Sequence, residues 1–189
     1  MKDITSDLYA QVKKDGWSLK NIPEELRTPE LCALAIRSQT PRLSNSESLL
    51  HFVPISLRSS QLCMSAIRKD GCAIRDVPEI LLTYEMCLEA VRRDGNEIAD
   101  VPKEYRTSEL CRIAVSENGA AFLYVPSLFI TEELCYTALR SFPRALLFVP
   151  EQYLSDELLV FAYRHDTHGD VFQTGRDVVN RRYDTLHLP

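Results

Sequence analysis

The chain has 189 residues, enough for one domain with a sizeable core, and its 45% apolar and 26% charged content is that of an ordinary soluble globular protein. A formal net charge of -5 argues against a nucleic-acid binder, because phosphate recognition relies on an excess of Lys and Arg. The start, MKDITSDLYAQVKKDG, has no apolar leader core, and no uninterrupted apolar run approaches the about 18 residues of a membrane span. The expectation is a soluble, cytoplasmic protein, with export by a route that reads no cleavable signal left open.

Taken in chain order, the first residues are a partial copy of a unit that then recurs. VKKDGWSLKNIP (Val12 to Pro23) parallels VRRDGNEIADVP (Val91 to Pro102). A Val-Pro or Ile-Pro pair places its proline at Pro23, Pro54, Pro78, Pro102, Pro126 and Pro150, and the last four steps are all 24 residues. The step from Pro23 to Pro54 is seven residues longer, and the polar stretch Ser38 to Ser48, SQTPRLSNSES, absorbs the excess as a loop.

Each copy predicts the same local structure. Five residues after the proline stands a hydroxyl (Thr28, Ser59, Thr83, Thr107, Thr131 or Ser155), placed to cap a helix of about ten residues by accepting from an unpaired backbone N–H. Pro29 falls at the first helical position, where a missing N–H costs nothing. Glu30, Gln61, Glu85, Glu109, Glu133 and Glu157 follow the cap by two, where an acidic residue complements the helix dipole. Nine residues after the proline come Cys32, Cys63, Cys87, Cys111 and Cys135, and in the sixth copy Leu159. With Leu110, Ala114, Val115 and their equivalents, the cysteines make one apolar stripe. Gly71, Gly95 and Gly119, each after Asp or Asn, are expected to close the helix in a left-handed cap. A short 3₁₀ or α turn around the next proline completes the unit. AAFLYV and RALLFV could pass for strands, but the equivalent segments AIRDV and EIADV favour helix.

The pattern V-P-x-x-L-x-T-x-E-L-C-x-x-A-V-x-x-x-G resembles tandem repeats of a bacterial family classed as a domain of unknown function. Its architecture is similar to the leucine-rich repeat variant, in which α and 3₁₀ helices alternate in 24-residue units. The resemblance covers about residues 8 to 163. It implies an all-α, right-handed solenoid of about six repeats over residues 1–165, with a non-repeat capping tail over 166–189. It also implies no catalytic residues and no cofactor. Some proteins with such repeats are associated with host-interacting bacteria, which implies an effector or effector-regulating role.

Four features compete to carry function. Neighbouring copies should be spaced at helix-packing distance, about 8–10 Å, too far for disulfides or a zinc site, so the repeated cysteines read as small core residues. Cys72 lies off the stripe and is expected to be a surface thiol. His165 and His168, in RHDTHGD, are the best candidates for a metal-dependent enzyme, but a third ligand is not fixed by spacing and a helix boundary explains them as well. Arg37, Arg68, Arg92, Arg140 and Arg164, with Lys13, form a basic ladder that suits helix C-termini and would also serve a polyanion, Arg68 and Arg92 being its test positions. The fourth feature lies in the two positions before the proline's own Val or Ile. Copies one, three and four place Asn21, Asp76 and Asp100 beside it; copies five and six place Leu123–Tyr124 and Leu147–Phe148, and copy two places Phe52. Those side chains predict an apolar patch for another protein, or a surface covered by the tail through Val171, Phe172, Val178, Val179 and Leu186. The leading expectation is a non-catalytic protein-binding scaffold.

Overall fold

The computed structural model describes residues 4–40 and 47–166. The expected tail beyond Asp166, with His168, and the middle of the loop insertion lie outside the described residues. The chain divides into two compact units, Met1–Arg93 and Asp94–Pro189.

All regular structure among the described residues is helical. The first unit holds α1 (Ile4–Lys14), α2 (Pro29–Arg37), α3 (Ser60–Lys69) and α4 (Tyr84–Arg93), and the second holds α5 (Ser108–Glu117), α6 (Glu132–Ser141) and α7 (Asp156–His165). Successive α-helices are joined by two 3₁₀ helices, not by the single turn expected. The longer one precedes the proline: Gly16–Asn21, Leu49–Phe52 and Gly71–Asp76, then Gly95–Asp100, Gly119–Tyr124 and Pro143–Phe148. The shorter one follows it, as in Glu79–Leu81 and Lys103–Tyr105. AAFLYV and RALLFV are thus 3₁₀ helices, not strands. No helix among the described residues is long and apolar enough to cross a membrane.

The hydroxyl caps act as the spacing predicts. Thr28, Ser59, Thr107, Thr131 and Ser155 each accept from the backbone N–H three residues on, and Thr83 accepts from Met86 at 3.3 Å. Each bond satisfies a donor that the first helical turn leaves without a backbone acceptor. The expected left-handed caps are absent. Asp70, Asp94 and Asn118 are extended (φ -151°, -148° and -149°), and their side chains cap the following 3₁₀ helix by accepting from Cys72, Asn96 and Ala120. The glycine answers a different demand. A Cβ on Gly95 would enter the carbonyl oxygen of Ala114 on α5, and one on Gly16 would enter that of Ala35 on α2. The next α-helix crosses so close that only a hydrogen fits.

Within each unit the elements form two layers. In the first, α1 to α4 pack in chain order, and Gly16–Asn21, Leu49–Phe52 and Gly71–Asp76 pack likewise on one another. In the second, α5, α6 and α7 form one layer and Gly95–Asp100, Gly119–Tyr124 and Pro143–Phe148 the other. The core lies between the layers. α5 contributes Leu110, Cys111, Ala114 and Val115, and the 3₁₀ layer contributes Ile98, Ala121, Phe122, Ala145 and Leu146. In Gly119–Tyr124 and Pro143–Phe148 two adjacent side chains are buried and the next two stand outside, as a short helix with three residues per turn allows. Cys72 belongs to this layer and is fully buried, correcting the expectation of a surface thiol. As the second residue of its 3₁₀ helix it occupies the place of Trp17, also buried.

Candidate functional site

The 3₁₀ layer of the second unit sets the candidate site. In Gly119–Tyr124 the pair Ala121–Phe122 turns inward, which leaves Leu123 and Tyr124 outside at 40% and 42% exposure. In Pro143–Phe148 the inward pair is Ala145–Leu146, and Leu147 and Phe148 stand out at 36% and 52%. The two segments are neighbours, so four large apolar side chains project from adjoining elements.

The backbone under this row is held by a residue whose role the sequence reading missed. Arg106 stands four residues after Pro102. Its Nε donates to the carbonyl of Val101 at 2.8 Å, Nη2 to Ala99 at 3.2 Å, and Nη1 reaches the next copy, donating to Tyr124 at 3.1 Å. Arg27 and Arg58 hold the same place in the first unit. Arg27 donates through Nε to Ile22 at 2.8 Å and through Nη1 to Phe52 at 2.6 Å. Arg58 donates through Nε to Val53 at 2.9 Å, through Nη2 to His51 at 3.3 Å, and through Nη1 to Asp76. The planar guanidinium suits this task, since its fixed fork serves two elements at once. The signal was an arginine at a constant offset from the proline, obscured because Leu82, Ile130 and Leu154 replace it in three copies.

The remaining expected site residues are dispersed. Phe52 is half-buried in the first unit, with the His51 ring edge-on to it at 5.4 Å. Arg68 and Arg92 are exposed in the last turns of α3 and α4, where the ladder predicts them, and Arg68 approaches Glu89 at 4.0 Å. Arg37, Arg140 and Arg164 are exposed in the last turns of their helices. The cysteines at the repeat position are buried free thiols. Burial pushes Cys32, Cys111 and Cys135 up from 9.0 to about 11, with Arg27 and Arg106 opposing it at the first two and Glu132 adding to it at the third. Such thiols stay protonated and are poor nucleophiles.

Two polar clusters invite a catalytic reading. Ser48 Oγ donates to Asp76 Oδ2 at 2.5 Å, and His51 Nδ1 lies 3.1 Å from Asp76 Oδ1. The carboxylate stands between the hydroxyl and the imidazole, whereas nucleophile activation needs the imidazole in the middle. The cluster ties the end of the loop insertion to the neighbouring 3₁₀ helix. At the other end, His165 stacks on Phe161 with centroids 4.1 Å apart, and its Nδ1 is 2.9 Å from the Phe161 carbonyl. His165 therefore finishes α7, and among the described residues no three His, Cys, Asp or Glu side chains gather as a metal site. Shallow grooves also run between neighbouring α-helices. The one between α6 and α7 has a volume near 500 Å³ and brings Tyr136, Val160 and Phe161 together with Asp156, Glu157 and Arg164.

A family model for a domain of unknown function, DUF4116, matches residues 60–106, from the first residue of α3 to Arg106. No curated protein and no solved structure matches the chain.

Proposed function

We propose that this chain is a non-catalytic protein-binding scaffold, a right-handed α-solenoid of about six 24-residue repeats, and that it docks another protein on the row Leu123, Tyr124, Leu147 and Phe148. One observation carries the reading: four large apolar side chains stand exposed on neighbouring 3₁₀ helices, at positions where other copies hold Arg75–Asp76 or Ala99–Asp100. Grouped exposed apolar residues of this kind mark partner surfaces, and aromatic residues are favoured interface anchors. The solenoid form is supported by the recurring order of one α-helix and two 3₁₀ helices, with like layered on like in each unit. The setting we propose, on the resemblance to repeats of host-interacting bacteria, is a bacterial effector or effector-regulating protein.

The test is capture from the native host, followed by reconstitution of the captured protein with purified chain. Tyr124→Ser with Phe148→Ser should abolish capture while circular dichroism and melting stay those of the wild type. A double variant that unfolds, or that captures the same protein equally well, defeats the reading.

A second reading has its own observation, the exposure of every ladder residue from Lys13 through Arg37, Arg68, Arg92, Arg140 and Arg164. A polyanion, nucleic acid included, bound along the ladder would show affinity falling steeply with salt and lost on charge reversal of Arg68 and Arg92. Heparin or duplex DNA binding that ignores salt, or no binding, removes it.

A further inference from the structure

From the contacts of Arg106 we infer that the proposed docking row has one rigid anchor and one adaptable anchor, Tyr124 and Phe148, and that Arg106 is the positioning residue that makes the difference. The inference rests on reading the row as a docking surface, but its physical content concerns the free protein.

The carbonyl oxygen of Tyr124 and the N–H of Val125 belong to one planar peptide group. That group is held from both sides. Arg106 Nη1 donates to its oxygen at 3.1 Å, and its N–H donates to the carbonyl of Phe122 at 3.2 Å. Rotation of the plane breaks one bond or the other, so the Cα of Tyr124 is fixed in direction even though the residue is partly exposed. Among the described residues, the peptide group after Phe148 has only the inner bond, Val149 N–H to the Leu146 carbonyl at 3.3 Å. The residue one copy earlier that would supply the guanidinium is Ile130, which has no side-chain donor. Arg27 repeats the arrangement at Phe52, and Arg58 repeats it at Asp76.

The functional consequence follows from the cost of ordering. A side chain on a fixed backbone is presented already oriented, so a partner loses less freedom by seating on it; one on a looser backbone adjusts to the partner after contact. Arg106 therefore sets Tyr124 as the residue that fixes register and leaves Phe148 to accommodate.

Residue-resolved amide hydrogen exchange on the full chain tests this without a partner. In the wild type the protection factor of the Val125 amide should exceed that of Val149 by about tenfold or more. Arg106→Ala and Arg106→Lys should both erase that excess while the Val115 amide of α5 keeps its protection, because lysine preserves the charge but not the fork. Ile130→Arg should raise protection at Val149. Equal protection of Val125 and Val149 in the wild type overturns the inference, as does Ile130→Arg leaving Val149 unchanged. So does equal loss at Val125 and Val115 on Arg106→Lys, which is the signature of general destabilisation. Should Arg106→Ala fail to fold, the wild-type ratio and the Ile130→Arg result still decide. These outcomes are independent of partner capture, so failure of the latch is distinguishable from failure of the docking surface.

Discussion

The two units build the same layered frame and differ in what they place on it. In the first, the longer 3₁₀ helices end in Lys20–Asn21, His51–Phe52 and Arg75–Asp76; in the second they end in Ala99–Asp100, Leu123–Tyr124 and Leu147–Phe148. The inward positions hardly change between units: Ile74, Ile98, Phe122 and Leu146 are all buried, as is the cysteine row. Constancy where a side chain meets the core, and divergence where it meets water, separate the residues that make the frame from those free to serve a partner. The apolar swap in the second unit leaves four large side chains partly exposed among the described residues, and that is why it carries the functional proposal.

The largest effects should come from substitutions that test whether the frames are equivalent. Gly16→Ala in the first unit and Gly95→Ala in the second each drive a methyl into a helix carbonyl. Overpacking of this kind costs about 1–3 kcal/mol or more, and equilibrium urea unfolding should give losses at the upper end for both. A loss in one unit alone would break the equivalence.

Next come the buried thiols. Cys32→Ser and Cys111→Ser each bury a hydroxyl in an apolar stripe, with an expected cost of about 1–3 kcal/mol by the same assay. Their titration gives a signed pH effect. The folded-state values of Cys32 and Cys111, about 11, lie above the ordinary 9.0, so their contribution is whole below pH 9 and is lost as pH rises through 11. The wild type should lose stability over that window, and Cys111→Ala should lose less.

Removing a cap is a smaller step: Thr107→Ala should cost about 1 kcal/mol, since Leu110 N–H loses its 3.2 Å acceptor. The smallest effect sharpens the comparison most. Tyr124→Ser with Phe148→Ser should shift unfolding by no more than about 0.5 kcal/mol, the ordinary scale for surface changes. A cost of core size would mean that the row is structural.

Much of the frame was legible in the sequence because its signals recur in register. The hydroxyl caps, the buried stripe and the outward place of Leu123, Tyr124, Leu147 and Phe148 all followed from comparing copies. What escaped has physical reasons. The longer 3₁₀ helices follow a three-residue period over only six positions, too short to register beside the helical stripe. Asp-Gly and Asn-Gly read as a left-handed cap because that is the commonest use of such a glycine, whereas here the demand comes from Ala114 or Ala35 on the next helix, invisible to local pattern. Cys72 looked exposed for the same reason, its layer being unrecognised. The arginine latch occurs in half of the copies and so looked like variation. At the candidate site the apolar swaps could be read, but the backbone bond that fixes Tyr124 could not.

The measurement that bears most directly on the account is the affinity of a captured partner for two matched double variants, titrated by calorimetry. Tyr124→Ser with Phe148→Ser alters the apolar ends of the second unit; Lys20→Ser with Arg75→Ser alters the charged ends of the first. Loss of about a hundredfold in affinity for the former, and less than about threefold for the latter, is the expected result for anchors at the centre of an interface. Equal losses, or a larger loss from the first-unit pair, would contradict the assignment of function to the apolar row.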